Sequence, residues 1–131
     1  MNTFHIDIIT PESTLTYENV SYVRAPGLDG LLGIQHSHAN AIIALDIGEL
    51  KIKINGETLY FSTSGGYTDI QSKGVQFLLE TIELSDNIDK KRAEKSFNKA
   101  QERIKDKSQD LNRAEQSLSR AKNRLSIINR K

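Results

Sequence analysis

From Ser85 to Lys131 the chain contains neither glycine nor proline, whereas all eight glycines and both prolines lie before residue 75. Repeated sharp reversals need residues that reach positive φ or hold φ fixed, so only the first part is equipped to turn often. The second part is free to run as helix. Charge divides at the same place. Residues 1 to 84 carry four basic groups (Arg24, Lys51, Lys53, Lys73) against ten acidic ones, a net of −6. Residues 85 to 131 carry 14 basic and 7 acidic groups, a net of +7, so the overall +1 is a cancellation. We therefore read two domains, 1–84 and 85–131, each too small to bury much core alone and each expected to lean on the other or on a partner.

The first part reads as strands. Phe4-His5-Ile6-Asp7-Ile8 alternates apolar and polar residues; Val20 to Val23 and Leu31 to Ile34 are short runs, and Ala41 to Leu45 is continuously apolar. Period-2 runs bounded by Gly, Asn and Pro are the signature of half-buried strands. Leu50 to Ile54, then Asn55-Gly56, then Thr58 to Phe61 predicts a hairpin, because Asn-Gly tolerates the positive φ angles of a type I′ turn. Tyr67 to Gln71 and Val75 to Leu79 predict another through Ser72-Lys73-Gly74. About ten short strands in such a segment predict an antiparallel β-sandwich or barrel.

Several chemistries are excluded or weakly supported. With no cysteine there is no disulfide framework, thiolate nucleophile or Cys-based zinc site. No basic segment followed by a long apolar stretch opens the chain, and nowhere do 18 apolar residues run together, so a soluble protein without a visible export signal is expected. Gly27, Gly30 and Gly33 are spaced three apart, which is not a dinucleotide fingerprint, and tight reversals explain them better. Ser64-Gly65-Gly66 suits a close approach of strands. His36 and His38, even with His5, lack a carboxylate at matching spacing, so no metal site is expected. No nucleophile elbow and no paired carboxylates suited to acid/base work appear.

Good helix formers dominate the second part. Ser85, Asp86 and Asn87 offer N-caps, and Asp89 stands near the positive end of the helix dipole. Ala93, Phe97, Ala100 and Ile104 form one apolar stripe; Leu111, Ala114, Leu118, Ala121, Leu125 and Ile128 form another after a turn at Lys107-Ser108-Gln109, with Asp110 as cap. The expected fold class is thus a β-sandwich followed by an antiparallel two-helix hairpin. Folding back at residue 108 predicts Phe97 near Leu118, Ala100 near Ala114 and Leu118, Ile104 near Leu111, Ile88 near Ile128, and Arg92 beside Arg124. An alanine-rich seam buries little area, so the hairpin is expected to be marginal alone and able to open.

Arg92, Arg124 and Arg120, with Lys99 further along, are expected on one side of this hairpin, near the acidic Glu83 and Asp89. Guanidinium groups can fork onto phosphate oxygens, and a carboxylate can accept from an adenine amine or a ribose hydroxyl. The same basic surface also fits a nucleic-acid-binding arm. Against that alternative, the helices hold a single aromatic, Phe97, and it falls in the seam.

Taken in order, Gly27, Gly30, Leu32-Gly33-Ile34, His38-Ala39, Leu45, Ser64-Gly65-Gly66 and the helical hairpin resemble the epsilon subunit of bacterial F-type ATP synthases over essentially the whole chain. The chain departs from the common pattern at His36-Ser37-His38-Ala39-Asn40 and at Leu31, an often acidic position. The resemblance implies a non-catalytic rotor subunit, peripheral on the cytoplasmic side of a bacterial membrane. Its sandwich would bind the gamma subunit and rest on the ring of c subunits, with Leu31, His38 and Ala39 in the contact loop. The hairpin would either lie on the sandwich or extend into the α/β hexamer and inhibit ATP hydrolysis.

Some members bind ATP through an I/L-D-x-x-R-A motif, which Ile88-Asp89-Lys90-Lys91-Arg92-Ala93 matches in full. The resemblance adds Glu83, Arg120 and Arg124 to that site and places Lys99 where an arginine can stand. It implies ATP as a regulatory ligand of the folded hairpin, with no required cofactor and no nucleic acid partner. A free-standing ATP sensor, without an ATP synthase, is the remaining alternative.

Overall fold

A computed structural model describes residues 3–105 and 111–128. Nine strands come first: β1 (Phe4–Ile9), β2 (Thr14–Gly27), β3 (Gly30–Gln35), β4 (Ala41–Leu45), β5 (Gly48–Ile54), β6 (Glu57–Thr63), β7 (Gly66–Gln71), β8 (Gly74–Leu79) and β9 (Ile82–Leu84). A 3-10 turn, Ser85–Asn87, leads into α1 (Lys90–Lys105) and α2 (Leu111–Ile128).

Sequence alternation resolves most of these strands but not the longest. Only Val20 to Val23 stands out as apolar in β2, which runs for 14 residues. The reason is that β2 serves two layers. Its first half pairs with β1 and its second half with β3 and β5, so the face it buries changes along its length. The change falls at an irregularity: Asn19 has φ 59°, and the β2–β5 register slips between Val20 and Tyr22. A bulge of this kind bends a strand and re-aims its side chains.

Strand order is β1-β8-β7-β4-β2-β5-β6-β9, and β1 returns to pair with β2, so the sheet folds over on itself. One pairing departs from the antiparallel expectation: β1 runs parallel to β8, with Ile6 opposite Val75 and Ile8 opposite Phe77. Parallel neighbours need a long crossover. Here most of the sandwich intervenes between the two strands. The short β9, which pairs with the end of β6, is too brief to show an alternation.

The two predicted turns are present. Asn55 and Gly56 both have positive φ, 51° and 82°, and they join Ile54 to Glu57 across the β5–β6 hairpin. Gly66, at φ 149°, lies so close to β8 that any side chain there would strike the Leu78 carbonyl oxygen. Between the sheet layers lies one core of 14 buried residues, centred on Phe61, Phe77, Ile6, Ile8, Leu50 and Ile52.

The hairpin packs differently. Ala93, Ala100, Ala114 and Ala121 are buried, while Phe97, Leu118 and Leu125 are only partly covered. Ile88, Ala93 and Ile127 form a small cluster against Tyr60 of β6, with Leu125 and Ile128 at its margin. Thus the expected proximity of Ile88 and Ile128 holds, but the residue driven deepest is Ile127, which the seam pattern omits. Ala93, whose place in the predicted seam is opposite Asn123, joins Ile127 in this cluster. The expected turn at Lys107-Ser108-Gln109 and the Asp110 cap lie outside the described residues, as does the Leu111 side chain expected beside Ile104.

Candidate functional site

The hairpin does not lie flush on the sandwich. Ser96, Lys99, Ala100 and Arg103 repeat at helical spacing on one face of α1, and Ser117, Arg120, Ala121 and Arg124 do so on α2. Opposite them stand the β1–β2 turn and the segment entering β9, which contribute Glu12, Glu80 and Glu83. Together they enclose an open cleft of about 590 Å³, within the size range of small-molecule sites. Its helical walls are cationic and its sandwich wall is acidic.

One ion pair crosses the cleft. Arg124 Nη2 donates to Glu83 Oε2 at 3.1 Å, and Arg124 Nε lies 2.7 Å from Glu83 Oε1. The buried Nε–H is not aimed along a hydrogen-bond direction, so that second contact is mainly charge attraction. One residue earlier on α2, Asn123 Nδ2 donates to the Gly48 carbonyl at 2.7 Å and to Ser62 Oγ at 3.1 Å. Those two bonds tie the hairpin to β5 and β6. Arg120 donates only weakly, to Ser117 Oγ at 3.3 Å, and remains exposed. Lys99 and Arg103 are exposed as well.

Of the predicted ligand residues, the fold brings Glu83, Lys99, Arg120 and Arg124 into this cleft. Arg103 joins them, and sequence reasoning missed it. Its signal was available, since it lies one turn beyond Lys99 on the same face. The other motif residues go elsewhere. Ile88 and Ala93 are buried, at 8% and 0% exposure, and hold α1 against α2 and the sheet. Asp89 is the N-cap of α1: its Oδ1 accepts the Arg92 N–H at 3.1 Å and its carbonyl accepts the Ala93 N–H at 2.9 Å. Asp89, not Ser85, Asp86 or Asn87, therefore caps the first long helix. Arg92 is exposed, one turn before Ser96, and it is Ser96 and Lys99 that share the cleft with Arg124.

Predicted contact residues Leu31, His38 and Ala39 do not form one patch. Leu31 lies near the start of β3, 72% exposed, in a shallow apolar groove with Leu28 and Ile42. That groove continues across the sheet, because Ala44 pairs with Tyr67 and Tyr67 with Leu78, which places these side chains on one face. The five large apolar residues most exposed among those described, Leu28, Leu31, Ile42, Tyr67 and Leu78, thus form one band. His38 lies beyond the far end of β3 in a second cavity of about 480 Å³, shared with His5 and His36. Ala39 is exposed beside it. Among the described residues no group of three His, Cys, Asp or Glu side chains is arranged to hold a metal ion.

Residues 3–85 match the family model of the ATP synthase delta/epsilon chain β-sandwich domain, and residues 86–129 match that of its long α-helix domain. The chain belongs to the ATP synthase delta/epsilon chain family. It is 36% identical to the ATP synthase epsilon chain of Desulforamulus reducens, covering 94% of this chain and 95% of that one. The corresponding chain of Staphylococcus haemolyticus is 33% identical, with 97% of each covered. A chain in the Euglena gracilis mitochondrial ATP synthase shares the fold with a TM-score of 0.81 at 15% identity, covering 92% of this chain and 78% of that one. As a member of this family it is a non-catalytic subunit of the ATP synthase.

Proposed function

We propose that this delta/epsilon family chain is a rotor subunit of the central stalk, with the sandwich as the docking module and the hairpin as a regulatory arm. Its partners would be the gamma subunit and the c ring of a bacterial ATP synthase, at the cytoplasmic face of the membrane. The apolar band from Leu31 to Leu78 fits the gamma contact, being an unpaired hydrophobic strip on an otherwise polar sandwich. No described helix is long and apolar enough to cross a membrane, which suits attachment through other subunits.

The cleft between hairpin and sandwich fits ATP as a regulatory ligand, and the carrying observation is that Lys99, Arg103 and Arg120 face it together. Their charges would take phosphate oxygens, while the Glu83–Arg124 pair closes the cleft. Ile88, Ala93 and Asp89 would act by building α1, and Arg92 would reach the site only from its margin. ATP that binds only the folded hairpin would stabilise it and oppose its extension into the α/β hexamer. Isothermal titration with ATP, with and without Mg2+, tests this. Binding should be lost in Arg120→Ala and reduced less in Arg92→Ala; no heat above buffer at millimolar ATP would refute the ligand. Deleting residues 85–131 should leave assembly intact and raise ATP hydrolysis by the complex, and unchanged hydrolysis would refute the inhibitory arm.

A further inference from the structure

His38 makes two contacts that a neutral imidazole cannot satisfy together. Its Nδ1 lies 2.5 Å from the Gln35 carbonyl oxygen and its Nε2 lies 2.8 Å from the Gln71 carbonyl oxygen. Both partners are acceptors with no proton to give. A neutral ring has one N–H and one lone pair, so one of these contacts would set two lone pairs against each other; only the imidazolium donates from both nitrogens. We propose that His38 is a charge-dependent staple joining the β3–β4 loop to the β7–β8 turn, closed when protonated and opened on one side when neutral.

The surroundings support a staple. The Phe4 ring meets His38 edge to face, with centroids 5.4 Å apart and planes at 75°, and holds the imidazole in the orientation that spans both carbonyls. Ser37, next to His38, has φ 65°, so the loop follows a path that an L-residue rarely takes and that needs tethering. His5 lies directly over Gly74, where any side chain would meet its ring. The β7–β8 turn is thus approached by two histidines.

Charged groups face this junction from every neighbouring element. β1 supplies His5 and Asp7, with His5 Nε2 at 3.8 Å from Asp7 Oδ2; β2 supplies Glu18, and β7 supplies Asp69. The loop contributes His36, whose Nδ1 is 2.9 Å from Ser37 Oγ, and the turn contributes Lys73. Acids and bases are interspersed around it. The loop it tethers includes Ala39 of the proposed ring contact. Stiffness of that contact would then fall when the imidazolium gives up its proton. This consequence rests on the docking reading, whereas the staple rests on the carbonyl geometry alone.

Nuclear magnetic resonance of the full, 15N-labelled chain across about pH 5 to 8 tests the staple without any partner. At the acid end both His38 ring nitrogens should carry protons. As the proton leaves, amide signals of Ala39 and Asn40 and of Ser72 to Gly74 should shift with one shared midpoint. His38→Gln should abolish that shared shift, and His5→Gln should leave it in place. A His38 ring in one neutral tautomer throughout would overturn the proposal. So would turn signals whose titration persists in His38→Gln and vanishes in His5→Gln.

Discussion

Fourteen residues, two of them phenylalanines, are buried in the sandwich core, whereas the contact between hairpin and sheet rests on Ile88, Ala93 and Ile127. Among the described residues, the remaining buried positions inside the hairpin are alanines. The difference is one of area per residue. An alanine seam lets helices approach closely but removes little apolar surface from water, at about 25 cal/mol per Å². The sandwich is therefore built to hold a single arrangement, and the hairpin to be held mostly by a few contacts that can be given up. Those contacts are of three kinds: the Ile88 cluster, the Asn123 bonds to Gly48 and Ser62, and the Arg124–Glu83 pair.

Truncating a residue in each region is the strongest way to break this contrast. Phe77→Ala should destabilise the sandwich by about 3 to 5 kcal/mol, because Phe77 is completely buried and the void cannot collapse between paired strands. Urea unfolding followed by tyrosine fluorescence should show the loss in the transition midpoint. Ile127→Ala should cost about 2 kcal/mol and act on the hairpin alone. Helical circular dichroism would fall while the sandwich transition stays where it was. If both signals shifted together by the same amount, the two regions would be one cooperative unit and the contrast would be wrong.

How much of this could be read beforehand varied with how local the signal is. Asn55-Gly56 revealed its hairpin because the turn chemistry is carried by two adjacent residues. The 14-residue β2 was hidden because its burial pattern changes at the Asn19 irregularity, a consequence of pairing partners distant in sequence. The parallel β1–β8 pairing was hidden for the same reason. In the hairpin, helix period and seam were legible, but which residues of the basic face meet the sandwich was not, since that depends on how the hairpin rests on the sheet. The cleft leaves Arg92 out of its lining and holds Arg103 beside Lys99, Arg120 and Arg124. Asp89 shows a further limit: a motif position can carry a helix cap, which spacing alone does not separate from a ligand contact.

The smallest expected effect bears most directly on how the hairpin is released. Glu83→Gln keeps the size of the side chain and a hydrogen-bond acceptor but removes the charge facing Arg124. Because both side chains are partly open to water, the loss should be about 1 kcal/mol or less and should shrink with added salt. Its sign is informative beyond its size. The uncharged glutamine no longer neutralises Arg124, so the cleft gains a net positive charge while the hairpin loses a tether. An unliganded hairpin should open more readily, seen as faster amide exchange along α2, while a polyanion such as ATP should close it by a larger margin than in the parent chain. Equal exchange in the two proteins would mean that the Asn123 bonds and the Ile88 cluster hold the hairpin unaided. The comparison between a fixed sandwich and a releasable arm would then rest on burial alone.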